Sequence, residues 1–244
     1  MSSQQTNDQL VLVCGESGSG KSVSLQFLPG DAKVMYLNCE SGKRLPFRNK
    51  FTNLTITDPY QIFEAFEHAK ANPGTFDYIV IDTITFLMDM FESQHVLGSA
   101  DTMKGWMNYQ QFFKRLMQHY VAQADVSVII LAHTLATLDE QSMTMRTNVP
   151  IKGALKNNGV ESYFSTVVST KKVPVKVLKD FPSDRLDITA VDEEMGFKHV
   201  FQTRLTAQTV GERIRSPMGM FPHEEPYMDN DCHKLLQHLE GYYA

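Results

Sequence analysis

Residues 15 to 22 limit what this chain can fold into more than any other segment. They read Gly-Glu-Ser-Gly-Ser-Gly-Lys-Ser and directly follow the apolar run 10–13. A glycine-rich segment of this spacing, between a strand and a helix, forms a loop whose backbone N–H groups point inward around phosphate. Gly18 and Gly20 permit backbone angles and a close approach that a Cβ would obstruct. The segment therefore predicts a binding site for a nucleoside triphosphate.

The loop residues divide the predicted work between them. Lys21 is expected to neutralise the β- and γ-phosphates, and the Ser22 hydroxyl to ligate Mg²⁺. A helix expected from residue 21 to about residue 27 would add its unpaired N–H groups and positive dipole end. The predicted nucleotide-binding set is Gly15, Glu16, Ser17, Gly18, Ser19, Gly20, Lys21 and Ser22.

Composition sets broad limits on the fold and on its surroundings. With 244 residues and 42% hydrophobic content, the chain can bury one good-sized core, most simply as a single α/β domain. The three cysteines show no C-x-x-C spacing, which favours free thiols in a reducing cytoplasm. The sequence shows neither a signal-peptide layout nor an apolar run long enough to cross a bilayer. We therefore expect a cytoplasmic protein without membrane association.

Strand and helix signals alternate along the chain, which predicts an α/β fold with a mostly parallel twisted sheet and helices on both faces. Residues 1–9 are expected to form a flexible tail, residues 10–215 the core, and residues 216–244 a loop and helix packed on it. Residues 134–152 are polar and weakly periodic, which predicts a mobile loop. The expected strands are 10–14, 33–39, 53–57, 76–82, 126–132, 163–169, 173–178 and 198–205.

Three polar residues stand at the ends of expected strands. Asp82 closes the apolar run 76–81 and is predicted to hold the metal ion. Glu40 follows the second strand and is a candidate general base for the attacking water. His133 follows the run 126–132 and is placed to contact the γ-phosphate. Because ligands bind at the carboxyl ends of parallel strands, these residues should meet the phosphate loop.

The loop, the Phe-Asp-Tyr-Ile-Val-Ile-Asp run at 76–82, Cys39-Glu40 and the strand ending in His133 resemble, in this order, the core of the RecA/RadA family of P-loop ATPases. The resemblance covers most of residues 10–222. It implies a RecA-like fold, a catalytic glutamate at Glu40 and a phosphate sensor at His133. The compact chain is similar to phage-encoded, core-only RecA-like ATPases of recombination and single-strand annealing.

The resemblance also extends to an intersubunit contact. The segment Glu-Arg-Ile-Arg-Ser-Pro at 212–217 is similar to a basic motif that reaches a neighbouring subunit's γ-phosphate. It implies a homo-oligomer with ATP between subunits, in which Arg213 and Arg215 act in trans. Both positions are arginine where the family carries lysine, which keeps the charge and favours bidentate phosphate contact.

A nucleic-acid site would have to be local, because the formal net charge of the whole chain is −5. The segment 146–179 carries seven Lys and Arg residues against the single acid Glu161. Such a stripe can neutralise phosphates, or its lysines can merely solvate strand edges. The resemblance favours single-stranded DNA, with candidate loops at 92–106 and 134–152 and stacking by Trp106 and Tyr109. The DNA-binding candidates are Arg146, Lys152 and Lys156.

Together these features predict a Mg²⁺-dependent ATP hydrolase that acts on single-stranded DNA in recombination or annealing. A single-strand-binding protein is a further candidate partner, and a phage-encoded protein would work in the host cytoplasm. The alternatives are a hexameric helicase or packaging motor, a small-molecule or nucleotide kinase, and a slowly hydrolysing scaffold. The chain lacks the compact arginine-rich lid of such kinases and the N-K-x-D motif that reads guanine.

Overall fold

The computed structural model describes residues 7–140 and 143–244. A central eight-stranded sheet has the order β10-β9-β8-β1-β5-β4-β2-β3, and a separate two-stranded sheet pairs β6 with β7. The six neighbouring strands β8, β1, β5, β4, β2 and β3 run parallel to one another. Strand β9 is antiparallel to β8, and β10 is antiparallel to β9. The strands are β1 (Leu10–Gly15), β2 (Val34–Asn38), β3 (Thr52–Thr55), β4 (Tyr78–Asp82), β5 (Ser127–His133), β6 (Leu135–Asp139), β7 (Thr144–Asn148), β8 (Thr166–Pro174), β9 (Phe197–Gln202) and β10 (Tyr227–Asp229).

Helices connect these strands and cover the sheet. The α-helices are α1 (Gln61–Ala71), α2 (Ile84–Phe91), α3 (Thr102–Arg115), α4 (Leu155–Asn158), α5 (Val175–Leu178), α6 (Ala190–Met195) and α7 (Cys232–Tyr243). Helix α2 continues as a π-helix over Glu92–Val96, and α3 as a π-helix over Leu116–Val121. Short 3₁₀ helices cover Ser22–Phe27 and Val160–Tyr163.

The central strands are apolar on both faces because both faces are covered. Side chains alternate across a strand, so Leu12 lies in one hydrophobic cluster, with α1 to α3. Val11 and Val13 lie in the other cluster, with α7. Each cluster buries apolar surface on its own face of the sheet. The carboxyl ends of the parallel strands lie together because these strands run in the same direction. The predicted fold class, α/β with a mostly parallel sheet between helices, is confirmed.

The helix after the phosphate loop lies near its predicted bounds but is of the tighter 3₁₀ type. Residues 22–27 form one 3₁₀ helix, which ends before Pro29. The Ser24 hydroxyl donates to the Lys21 carbonyl at 2.5 Å, so a side chain satisfies a group that a continuing α-helix would use. The predicted contribution of this helix's N–H groups and dipole to phosphate binding stays a prediction, as does that of the loop N–H groups and Lys21.

Two other segments differ from the sequence prediction. Strands β6 and β7 form an antiparallel hairpin within the expected mobile loop 134–152, with Leu138 opposite Met145. The expected strand 173–178 is mostly the helix α5, because Pro174 ends β8 and lacks the N–H that a ladder needs.

The carboxy-terminal segment contributes a strand as well as a helix. Strand β10 extends the sheet edge by pairing with β9, and α7 packs Leu235 and Leu236 into the cluster that contains Val11. The assignment of 216–244 as a unit packed on the core stays a prediction. Most of the expected tail 1–9 lies outside the described residues. Within the described part of the chain, no helix has both the length and the apolar character needed to cross a membrane.

Candidate functional site

Four parallel strands bring the predicted site residues to one edge of the sheet. Gly15 at the end of β1 is paired in register with His133 at the end of β5. Asp82 at the end of β4 lies in register with Asn38 at the end of β2. Because all four strands run in the same direction, their carboxyl ends open on the same space. The phosphate loop, Asp82, Glu40 and His133 therefore lie together.

Lys21 is almost fully buried, with 6% of its surface exposed. Its Nζ donates to the carbonyls of Gly15 at 2.9 Å and Glu16 at 2.8 Å, and lies 3.3 Å from Nδ1 of His133. Burial lowers the pKa of Lys21 to about 8, although Asp82 and Glu40 favour the charged form. Because burial disfavours the charged form of Lys21, an anionic ligand beside Nζ would raise its pKa again and would be bound by the charged amine.

Ser22 and Asp82 form the candidate metal site. The Ser22 hydroxyl and the Tyr36 hydroxyl donate to Oδ2 of Asp82 at 3.0 and 2.5 Å. The other oxygen, Oδ1, is buried and has no hydrogen-bond partner among the described residues. Burial raises the pKa of Asp82, and a nearby divalent cation would counter this by favouring the carboxylate. An orphaned carboxylate oxygen beside a hydroxyl fits Mg²⁺, which prefers hard oxygen ligands.

Both oxygens of the Glu40 carboxylate are engaged. Oε1 lies 3.0 Å from Nε2 of His133, and Oε2 accepts from Nζ of Lys43 at 2.7 Å. The His133 hydrogen bond, followed by Lys43, lowers the pKa of Glu40 to about 2. Buried Asn38 fixes the turn, because its side chain accepts from the Glu40 N–H and donates to the Lys43 carbonyl. Lys21, His133 and Glu40 thus form a chain of contacts across the site.

A cavity of about 270 Å³ lies between these groups. Its lining includes the phosphate loop from Ser17 to Val23, Tyr36, Asp82 and the segment 43–46. A larger cavity of about 620 Å³ lies at the opposite, amino-terminal edge of the strands and holds none of the predicted site residues. We assign function to the smaller cavity, because buried charges converge there.

Five residues of this region were missed by sequence reasoning. Their positions are Tyr36, Asn38, Lys43, His199 and Asn230. Tyr36 and Asn38 lie two residues apart in the buried strand β2. A polar residue at the end of a buried strand needs hydrogen-bond partners, and this signal could have indicated Asn38. His199 and Asn230 are far from the loop in sequence, so nothing local indicated their contacts with it.

The two arginines of the 212–217 motif have different environments. Arg213 donates to the buried carboxylate of Glu161 at 3.1 Å and to the Asn158 carbonyl at 3.3 Å. Arg215 is exposed, and its backbone bridges to Val167 of β8. Arg213 thus makes contacts within the chain, whereas Arg215 is exposed; the trans role of both arginines stays a prediction.

The basic stripe is largely paired with acids from other parts of the chain. Four of its seven cations form ion pairs, namely Arg146 with Asp139, Lys152 with Glu92, Lys171 with Glu212 and Lys179 with Glu193. Lys156, Lys172 and Lys176 are exposed. The only acid within residues 146–179 is Glu161, because all four partner acids lie outside that segment in the sequence.

The aromatic residues suggested for base stacking are not equally accessible. Tyr109 is 2% exposed and its hydroxyl accepts from the Lys152 N–H, so it belongs to the core. Trp106 is half-buried and packs edge-on against Tyr109, with ring centres 5.3 Å apart. The segment 92–106 is mostly helical, as π-helix and the start of α3.

Comparison with known protein families identifies the family of this chain. A family model described as an AAA domain matches residues 7–204, which is well over half of the chain. No curated protein matches it. The matched range contains the phosphate loop, Glu40, Asp82 and His133 but ends before Arg213 and Asn230. The chain belongs to this AAA-domain family and is a nucleotide-binding P-loop ATPase.

Proposed function

We propose that this AAA-domain protein is a RecA-like, Mg²⁺-dependent ATPase that acts on single-stranded DNA in recombination or strand annealing. The observation that carries the proposal is the chain Lys21–His133–Glu40 beside the Ser22–Asp82 pair. It supplies a phosphate cation, a carboxylate base and a metal site within one cavity. The residue after Asp82 is Thr83, whose hydroxyl cannot serve as a general base. The proposed base is therefore Glu40, which follows β2 and not β4.

In this mechanism Lys21 binds the β- and γ-phosphates, and Ser22 and Asp82 would hold Mg²⁺. A cation held there would supply positive charge to offset the charge that develops on the phosphate oxygens. Glu40 orients a water and accepts its proton, for which one carboxylate oxygen must leave Lys43 or His133. The Lys43 side chain is 66% exposed whereas that of Glu40 is 9% exposed. The ammonium of Lys43 can therefore turn to water when nucleotide binds, which would release one oxygen of the buried carboxylate.

A short connection supports coupling between ATP and DNA. His133 ends β5, and β6 of the hairpin begins two residues later at Leu135. The intervening Thr134 donates its N–H to the Gly15 carbonyl of the phosphate loop at 3.1 Å. Loss of the γ-phosphate would remove contacts at this junction and shift the hairpin that carries Arg146. The proposed DNA contacts are made by Arg146, Lys152 and Lys156, together with the exposed Lys172 and Lys176.

The proposed assembly is a homo-oligomer in the cytoplasm, or in the host cytoplasm if the protein is phage-encoded. ATP lies between subunits and is contacted in trans by Arg215. The internal ion pair of Arg213 with Glu161 would hold the 212–217 segment against its own subunit. A single-strand-binding protein is proposed as a further partner.

Phosphate release from ATP, with and without single-stranded DNA at low and physiological salt, tests this function. We expect stimulation by DNA that weakens with salt, because neutralised phosphates release counterions. Lys21→Ala is the inactive control. Hydrolysis that ignores DNA would remove the DNA role but keep the ATPase. Transfer of the γ-phosphate to an organic acceptor would instead identify a kinase, and duplex unwinding a helicase-type motor.

A mixing experiment tests the shared site. Lys21→Ala and Arg215→Ala subunits, each inactive alone, are combined before assay. If Arg215 acts in trans, about a quarter of the sites pair an intact loop with an intact neighbouring arginine and regain activity. No recovery, with both variants shown to co-assemble, contradicts the proposed interface.

A further inference from the structure

Two side chains from distant parts of the chain hold the phosphate loop, and one of them, His199, also lines the cavity of about 270 Å³. His199 of β9 donates from Nδ1 to the Ser19 carbonyl at 2.6 Å. Asn230, directly after β10, donates from Nδ2 to the Gly20 carbonyl at 2.9 Å. Asn230 lies outside the range 7–204 that matches the family model. We infer that His199 and Asn230 are positioning residues that set the phosphate loop in its binding conformation, so that the carboxy-terminal segment controls nucleotide affinity.

The chemistry of the two bonds determines the orientation of the loop peptides. A carbonyl that accepts from His199 or Asn230 turns the N–H of the same peptide to the opposite side, where it can face the phosphate. The Gly20 carbonyl also accepts from the Ser24 N–H at 3.1 Å. Without the two side-chain donors, the peptides after Ser19 and Gly20 would be held less firmly, and part of the N–H set that faces the phosphate would be lost. Lys21 follows directly, so its backbone is fixed by the same contact.

The close approach explains the glycine at position 20. Its φ is +114°, and a Cβ built there would lie 2.7 Å from Nδ2 of Asn230 and 3.0 Å from Nδ1 of His199. L-residues rarely adopt that backbone conformation, and the two donors occupy the space. Contact between the loop and its two donors therefore requires glycine at position 20.

A further contact joins the same segment to the start of the 3₁₀ helix. Cys232, the first residue of α7, lies with its Sγ 3.1 Å from Oγ of Ser24, and that hydroxyl donates to the Lys21 carbonyl. Asn230 and Cys232 are 6% and 0% exposed, so these contacts are protected from solvent. The carboxy-terminal segment thus contacts Gly20 directly and Lys21 through Ser24.

The test uses the full chain and measures the Kd of Mg²⁺–ADP and of a non-hydrolysable Mg²⁺–ATP analogue, together with KM and kcat. We expect His199→Ala and Asn230→Ala each to raise both Kd values and KM about tenfold, with kcat nearly unchanged at saturation. His199→Asn retains a donor near the Nδ1 position and should restore much of the affinity. Asn230→Asp places an acceptor against the Gly20 carbonyl and should be the weakest binder of the set.

The matched control is His238→Ala. His238 of α7 makes the same kind of bond, from Nε2 to the Met220 carbonyl at 2.7 Å, away from the loop. It should lower the unfolding temperature as much as His199→Ala does while leaving the Kd unchanged. The double variant of His199 and Asn230 should lose less than the product of the single effects, because both residues hold one loop conformation.

The inference rests on the proposed nucleotide site, and the outcomes separate the two. Failure of the wild-type protein to bind Mg²⁺–ADP, or equal binding by Lys21→Ala, would overturn the site itself. Wild-type affinity in folded His199→Ala and Asn230→Ala, with binding abolished in Lys21→Ala, would overturn the positioning role alone. If either alanine variant does not fold, the pair His199→Asn and Asn230→Ser decides the same question.

Discussion

The nucleotide edge of the sheet and the basic stripe 146–179 both contain charged residues, but their charges are held in opposite ways. At the nucleotide edge, Lys21 is buried with a lowered pKa, and Asp82 has a raised pKa and an unpartnered buried oxygen within the described structure. In the stripe, Lys152 and Lys171 are paired with carboxylates of the same chain. Buried charges that the fold leaves unsatisfied indicate a built ligand site, whereas surface cations already paired with acids do not.

The largest expected effect is the loss of Lys21. Lys21→Ala removes the buried cation that faces the phosphates, so the Kd for Mg²⁺–ATP should rise more than about 100-fold. Titration with a fluorescent nucleotide measures it. Lys152→Ala in the stripe is the matched control and should bind nucleotide as the wild-type protein does. An equal rise in Kd in both variants would contradict the assignment of the nucleotide site to the Lys21 region and not to the stripe.

Glu40→Gln should separate binding from turnover. The amide keeps the size and some hydrogen bonding of the side chain but cannot accept the proton of water, so kcat should fall about 100-fold or more. The Kd for Mg²⁺–ATP should change less than about threefold. Single-turnover phosphate release reports the first quantity, and equilibrium titration reports the second. Normal turnover would remove Glu40 from the mechanism.

The pH profile sharpens the description of the nucleotide edge. Burial lowers the pKa of Lys21 to about 8, so the side chain is charged below that pH and neutral above it. Because kcat/KM reports the free enzyme, it should fall by up to about tenfold per unit as the pH rises past about 8. Glu40, whose pKa is lowered to about 2, stays ionised throughout this range. A flat profile up to pH values near those of an ordinary lysine would contradict the lowered pKa.

The smallest expected effects concern the stripe. The exposed Lys156, Lys172 and Lys176, changed together to Gln, should weaken single-stranded DNA binding several-fold and reduce the salt slope by about two. The paired Arg146, Lys152 and Lys171, changed together to Gln, should have a smaller effect, because their charge is partly offset by acids. Salt-dependent DNA titrations compare the two sets. A larger loss in the paired set would show that those ion pairs open on binding.

The nucleotide edge was largely predictable because its signals are local. The loop spacing at 15–22 and the strand that ends in Asp82 are each written within ten residues, and parallel strands bring their ends together. Glu40 and His133 follow the same rule. What could not be predicted was that His133 contacts both Lys21 and Glu40, since those distances depend on strand order.

The stripe was harder to predict because charge pairing is long-range. Glu92 and Glu212, which pair with Lys152 and Lys171, are 60 and 41 positions away from them. The hairpin within 134–152 was missed because its strands are mostly exposed, so they lack the apolar alternation of a half-buried strand. The helix α5 was missed because Val and Leu suit a short buried helix as well as a strand.

The sequence by itself determined that this chain carries a phosphate loop on a parallel α/β sheet, because the loop needs particular residues at fixed spacing. Only the tertiary structure decided which groups complete the site. The donor His199 lies in β9 and the donor Asn230 directly follows β10, about 180 and 210 positions from the loop residues they contact. Arg213 likewise pairs with the buried Glu161 carboxylate, 52 positions away. Such contacts depend on the three-dimensional path of the chain, which no local pattern encodes.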